Sequence, residues 1–511
     1  MRTKKSIINS SANILALIIM FIPNIIIRKI FLDSLGSEML GLTSLYTNII
    51  SWLSIFEMGV GSAIVFSLYK PYSINDYKSI KSYIDFYGKF YRKIGLIILI
   101  ASLLISPFIK YFISDNVNYN IASIGLILYA INTFISYIFS YRLCILNVAQ
   151  EAYIITLGTS ISRLIIFIVQ VVMLKTYPNF ILYIIIQIVI NLIYFIIINM
   201  YISKRFTWIN GKGEELKDAE KSNLTRNINA LFMHKIGTLV LQSTDNIVIS
   251  KFLGLTTLAK YTNYQIVINV LQSLVDSILG GLTGSLGNLI AEGDINKSYN
   301  IHKKIFFMSF WITSFIVISI YNTLNQFVVL WVGEQNLINT FTFNIILINT
   351  YFFTMRGSVE QFKSASGVYY QDRYAPLAEA IINLVVSITL VKYMGLSGVF
   401  IGTLISNITV VFWVKPYIVY KYIFNKSIIK YFKTYFKYLF IAIITLFVTS
   451  TITNNLKYNY DVFSFIANCL INIIVINVIY IFIFYKTEEF KYFKVIISNI
   501  INKLNNKFYK N

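Results

Sequence analysis

The sequence predicts an all-α polytopic membrane protein of about 14 transmembrane helices, built as two pseudo-symmetric six-helix lobes with two extra C-terminal helices. Three observations predict it. Of 511 residues, 57% are hydrophobic and only 13% charged, with a mean hydropathy of +0.67; such a chain has too few polar groups to cover its apolar surface in water. Apolar windows of about twenty residues recur from end to end, the length that crosses a hydrocarbon core as a helix, and the alternating segments of about ten residues that mark a barrel are missing. Finally, the stretch from Thr244 to Glu292 restates residues 28–64. At an offset of about 218 positions Leu35 meets Leu253, Gly36 meets Gly254, Leu40 meets Leu258 and Tyr46 meets Tyr264. Gln150-Glu151-Ala152-Tyr153 answers Gln371-Asp372-Arg373-Tyr374 at about 221, so both ends of one long unit recur.

Taken in order, the windows place spans at 8–32, 42–69, 88–113, 119–148, 152–175, 179–203, 228–253, 262–291, 303–331, 338–366, 374–394, 396–422, 435–453 and 461–486. The first has a basic start like a signal sequence, but its apolar run is long and carries no Ala-x-Ala-like site, so it reads as an uncleaved spanning helix. The even number of spans puts both termini on one side. With that side cytoplasmic, about 33 Lys and Arg lie inside against about 8 outside, the asymmetry of the positive-inside rule. Residues 1–203 form the first six-helix lobe, 204–227 a cytoplasmic linker, 228–422 the second lobe, and 423–511 two additional helices with a basic cytoplasmic tail.

Several function classes fall away. The net charge of +22 is topological, with attraction to anionic membrane lipids, rather than a nucleic-acid footprint. Cys144 and Cys469 both lie inside apolar spans, and the two histidines, His234 and His302, offer little for imidazole chemistry. No metal site, cofactor motif or catalytic constellation is expected. The external loops, such as Asp33 to Gly41 and Thr176 to Pro178, leave no room for an external catalytic domain, which disfavours a membrane glycosyltransferase or glycan polymerase.

Function should therefore be sought in polar residues at bilayer depth, where each charge costs roughly 2.5–3.5 kcal/mol on insertion scales. Gln265, Asn269, Gln272 and Asp276 fall on one helical face, and Thr47, Ser51, Ser54 and Glu57 repeat the pattern in the corresponding earlier helix. For the hydroxyls, bonding between helices is the favoured account. Glu57, Asp245 and Asp276 are candidates for binding a coupling ion, since a carboxylate is costly as mere helix glue. Arg28, Arg163, Lys235 and Arg356 are the intramembrane cations, suited to a diphosphate through planar or point-charge contacts; for Arg356 an ion pair with Glu360 four residues on is an equal alternative. Gln265, Asn269 and Gln272 are candidates for sugar hydroxyls. His234 lies on the same helix as Asp245, and a satisfied core role is favoured for it. The glycines Gly59, Gly61, Gly280, Gly281, Gly284 and Gly287 suit close backbone packing.

The runs RKIFLDSLGSEMLGLTSLYTNIISWLSIFEMGVGSAIVFSLYKPYSINDYKSIKSYIDFYGKFYRKIG, STDNIVISKFLGLTTLAKYTNY and NVAQEAYI resemble the bacterial polysaccharide transporters, the O-antigen or repeat-unit flippases. Their superfamily also holds the multidrug and toxin extrusion (MATE) exporters and the lipid II flippases. The resemblance runs over nearly the whole chain, and Arg28 and the Asp245-Asn246 pair match its pattern. It implies two six-helix lobes around a cavity that opens to each leaflet in turn, in the bacterial cytoplasmic membrane. The implied substrate is an undecaprenyl-diphosphate-linked oligosaccharide destined for surface polysaccharide, with membrane lipids and polysaccharide polymerase or assembly proteins as partners. A lipid II flippase and a MATE-like cation exporter are the alternatives; Tyr46, Tyr264 and the carboxylates would serve the latter.

Overall fold

The computed structural model describes residues 2–57, 60–113, 117–211, 215–216, 244–280, 282–368, 370–454, 456, 460–495 and 498. These residues are overwhelmingly helical, and no strand occurs among them. Ten of the described helices are long and apolar enough to cross a bilayer. The protein is an all-α polytopic membrane protein.

The chain divides into two compact units, residues 1–259 and 260–511. The expected linker at 204–227 falls largely within 212–214 and 217–243, outside the described residues.

The first unit holds α1 (Arg2–Leu53), α2 (Val60–Ser73), α3 (Tyr77–Ile105), α4 (Tyr119–Ser140), α5 (Cys144–Val148), α6 (Ala152–Thr176), α7 (Phe180–Arg205) and the helical residues 244–253, here α8. The first two expected spans meet without the nine-residue loop that the sequence suggested. A single glycine divides them: Gly36 has φ +84° and ψ 172° inside α1, a backbone region that is essentially glycine-only. The second expected span, 42–69, is itself interrupted. Beyond Leu53 the chain tightens into a 3₁₀ turn, Ser54–Glu57, and α2 begins at Val60. Glycines in Glu57-Met58-Gly59-Val60-Gly61 weaken a helix there.

Around these breaks α1 lies along α6, α6 along α7, and α4 against both α3 and α7. On α3, Ile80, Ile84, Tyr87, Tyr91, Ile94 and Ile98 recur at three- and four-residue spacing and pack on α2 and α4. The opposite face exposes Leu96, Ile97, Ile100 and Leu104. Apolar residues on both faces suit a helix with core on one side and lipid on the other.

Through α9 (Leu255–Gly280) the chain passes into the second unit. There follow α10 (Thr283–Ala291), α11 (Ile295–Val332), α12 (Thr340–Met355), α13 (Gly357–Ser366), α14 (Ala375–Met394), α15 (Leu396–Ser406), α16 (Phe412–Ile418), α17 (Ile429–Ile452) and α18 (Val462–Phe484). The expected span 338–366 is broken at Arg356, between α12 and α13. α14 and α15 form a close hairpin because Gly398 and Gly402 have no side chain: a Cβ at either would strike the backbone of Leu390 or Ser387.

α17 and α18 pack on α11. Their contact combines ring packing, such as Phe310 on Tyr438 at 4.5 Å between centroids, with a buried amide chain. Asn322 donates to Asn472 at 2.7 Å, Asn468 to Gln326 at 3.2 Å, and Trp311 donates to Asn477 at 2.9 Å. Amides paired in this way bond helices where no water competes.

Candidate functional site

In the first unit the polar faces of three helices converge on a cavity of about 330 Å³. Asn132, Thr133 and Ser136 come from α4, Thr159, Ser162 and Arg163 from α6, and Gln187, Asn191 and Tyr194 from α7. Each set follows helical spacing, so each helix turns one polar strip inward. Arg163 is exposed to the cavity and makes no hydrogen bond or ion pair among the described residues. Ser162 is 5% exposed, yet its hydroxyl has no partner among the described residues, and neither has the buried hydroxyl of Tyr194. Asn191 and Asn132 do bond to each other, at 3.0 Å. No carboxylate is among the described residues that line this space.

Arg28, on α1, does not line that cavity. It is half-buried and donates to the carbonyl of Ala259 at 3.4 Å; the nearby Phe31 ring sits 4.8 Å from that of Tyr183. Arg28 and Arg163 thus occupy separate environments within one unit. Glu57 sits in the 3₁₀ turn and accepts hydrogen bonds at both carboxylate oxygens, from Tyr91 and, at 2.5 Å, from Tyr137. Asp245 is buried on α8 beside Asn246, which donates to Asn48 at 3.2 Å.

The hydroxyl stripe of α1 behaves differently from the expected bonding between helices. Thr47, Ser51 and Ser54 each donate to the carbonyl four residues earlier in the chain, at 2.8, 2.7 and 2.8 Å, and of the three Ser54 also bonds to Tyr137 on α4, as expected between helices. In an apolar setting the nearest unsaturated acceptor is the preceding turn, and these side chains are short enough to reach it.

In the second unit Gln265, Asn269, Gln272 and Asp276 share one half-exposed to exposed face of α9, as helical spacing required. Asp276 lies within electrostatic reach of Glu360. Arg356 caps the break between α12 and α13, is 7% exposed, and pairs with Glu360 at 3.3 Å. Lys415 of α16 also binds Glu360, and Lys363 binds Asp372. Of the two accounts open for Arg356, the ion pair is present. Lys235 and His234 lie outside the described residues.

Tyr46 and Tyr264, the repeated pair, are both fully buried. Tyr46 donates to the Ala122 carbonyl and Tyr264 to Asn325, each at 2.8 Å. Both hydroxyls tie their helix to a neighbouring element.

Comparison of the whole chain with solved structures places these features in context. The lipid II flippase MurJ, in an inward closed conformation, matches with a TM-score of 0.70 over 94% of this chain and 99% of that one, at 16% identity. The chain has a MurJ-like, MATE-like fold. An inward-facing multidrug resistance MATE family transporter of the MOP superfamily matches at a TM-score of 0.54 and 13% identity, over 76% and 91%. A MOP superfamily transporter from Pyrococcus furiosus, described as having a binding pocket of reversed polarity, matches at 0.54 and 14%, over 80% and 92%. No protein-family model and no curated protein sequence matches the chain.

Within this MurJ-like fold the sequence reading had passed over the partners rather than the charges. Tyr91 and Tyr137 hold Glu57, and Lys415 holds Glu360, but helical spacing within one span gives no sign of contacts between spans. The cavity around Arg163 did leave a signal. Asn132/Thr133/Ser136 and Gln187/Asn191/Tyr194 are polar strips at three- and four-residue spacing in otherwise apolar helices.

Proposed function

We propose that this chain is a flippase that carries a lipid-linked, anionic oligosaccharide from the cytoplasmic to the outer leaflet by alternating access, for surface polysaccharide such as O-antigen or capsule. The observation that carries the reading is Arg163, a mid-span cation open to a polar cavity with no carboxylate among the described residues that line it. Such a cavity attracts an anion with many hydroxyls and repels an organic cation. Likeness over nearly the whole length of a lipid II flippase supports a lipid-linked glycan as cargo.

In this reading the polyprenyl tail stays in the bilayer and only the polar head crosses, which avoids dragging charge through hydrocarbon. Arg28 contacts the diphosphate, the α9 face with Gln265, Asn269 and Gln272 accepts sugar hydroxyls, and Glu57, Asp245 or Asp276 binds a coupling ion. Arg356 is left to its ion pair. A lipid II flippase is the second reading, favoured by the higher TM-score to that structure than to the MATE transporters.

The test is a strain lacking the gene, in which lipid-linked oligosaccharides are extracted, assigned to a leaflet and identified, and surface glycan is stained. The proposed function requires an oligosaccharide lipid trapped on the cytoplasmic leaflet beneath a bare surface. Trapped peptidoglycan precursor would decide for the second reading. Normal distribution of both lipids would sink both readings, and cationic-drug efflux would then be assayed. In the complemented strain, Arg28→Ala and Arg163→Ala should each cut export while leaving protein in the membrane.

A further inference from the structure

The cavity between α4, α6 and α7 has more chemistry than a site for any anion requires, and its position excludes one common source of anions. Arg163 is the twelfth residue of the 25-residue α6, so at about 1.5 Å per residue it lies roughly 16 Å from one helix end and 20 Å from the other. Head groups of the surrounding bilayer lie beyond that depth. An anion reaching Arg163 must be carried there on a cargo.

The lining then narrows the cargo. One unpaired guanidinium supplies one positive charge. Around it stand the orphan hydroxyls of Ser162 and Tyr194, together with Ser136 and Gln187, for which no hydrogen bond exists among the described residues. Asn132 and Asn191 complete the wall, already paired to each other. A buried hydroxyl without a partner costs about 1–3 kcal/mol, and two such residues in the wall of one space suit a ligand or water with many hydrogen-bonding atoms. At about 330 Å³ the volume is at the small end of the roughly 300–1,000 Å³ typical of ligand sites. That suits a single sugar residue better than a whole repeat unit. A diphosphate would want more than one cation, and the cavity wall has one among the described residues.

Tyr194 is seated for this purpose by Gly158, whose missing side chain lets the ring approach: a Cβ there would come within 2.9 Å of the Tyr194 ring.

We infer that this cavity seats an acidic sugar of the cargo, its carboxylate on Arg163 and its hydroxyls on Ser162, Tyr194, Gln187 and the asparagine pair. This rests on the flippase reading, and it adds that the oligosaccharide carries a uronic-acid-like residue.

The experiment is equilibrium binding to the purified full-length protein in nanodiscs, with methyl glucuronoside, methyl glucoside and inorganic diphosphate as probes. Methyl glucuronoside should bind at least tenfold more tightly than methyl glucoside. Arg163→Gln should weaken it roughly 10- to 100-fold, the range for a hydrogen bond to a charged group, and Arg163→Lys should recover part of the loss. Should Arg163→Gln fail to insert, Ser162→Ala with Tyr194→Phe keeps the charge in place, and a loss of roughly threefold or more is required. Equal binding of the two glycosides, or full binding in Arg163→Gln, would overturn the inference. So would diphosphate displacing methyl glucuronoside at lower concentration than unlabelled glycoside does, since that makes the cavity a diphosphate seat while leaving the flippase reading intact. The flippase reading fails separately, on the leaflet assay.

Discussion

Gly36 and Gly254 occupy equivalent places in the two copies of the repeat, and both have positive φ, +84° and +88°. The sequence showed that the two glycines align; it could not show that the turn between spans shrinks to one residue, because a predicted loop is bounded by hydropathy and not by φ. A few residues on, Gly41 serves a different end, since a Cβ there would strike the backbone of Leu255. The two glycines therefore predict different penalties. Gly36→Ala meets nothing within 4 Å and should lose only the cost of an unfavourable backbone region, about 1–3 kcal/mol. Gly41→Ala must move a neighbouring chain and should lose more, with lower yield of folded protein. Thermal unfolding in detergent, read by size-exclusion chromatography, would rank them; equal losses would mean that the close approach at Gly41 is not what holds the two turns together. Tyr46 teaches the same lesson about side chains: its repetition was legible, but its burial was not, because an aromatic in a span reads alike whether it faces core or cavity.

Elements were legible in number and order wherever apolar periodicity ran unbroken, and misread where polar residues break the helix. The spans expected at 42–69 and 338–366 are both interrupted, one at Ser54–Glu57 and the other at Arg356. A charge and a nearby glycine accompany each break: Glu57 with Gly59 and Gly61, Arg356 with Gly357. Hydropathy windows average over such a feature. Each break also gives a charged group access to neighbouring elements, and at the second the consequence is a shared carboxylate, Glu360, between Arg356 and Lys415. Glu360→Gln should destabilise the second unit by about 3 kcal/mol or more, since it leaves two cations facing each other away from water. Adding Lys415→Met removes one of them and should restore part of the loss, a non-additivity that a double-mutant cycle in the same unfolding assay would measure. Strictly additive losses would mean that Glu360 does not neutralise Lys415.

At the scale of the whole molecule, composition alone led to an all-α membrane protein, and the chain as a whole has a MurJ-like fold. The cavity around Arg163 was within reach of the same periodicity but was not assembled, because three polar strips on separate spans become one site only when the helices are known to be neighbours. Orientation across the membrane rests on charge, with cationic side chains concentrated on the side assigned to the cytoplasm. It can be tested with residues whose exposure is already high, so that failure to label reports sidedness rather than burial: Ile74, Tyr177, Tyr393 and Ile429 are 65%, 64%, 83% and 72% exposed. Cys144 and Cys469 are both free and would first be replaced by serine. In that background Tyr177→Cys and Tyr393→Cys should react with a membrane-impermeant maleimide in intact cells, whereas Ile74→Cys and Ile429→Cys should react only after permeabilisation. The reverse pattern would invert the protein. In the flippase proposed above alternating access is symmetric in principle, so an inverted protein would still move its cargo, but the basic loops would then face outward. The cytoplasmic attraction for an anionic lipid-linked head group, on which loading in that proposal depends, would be lost.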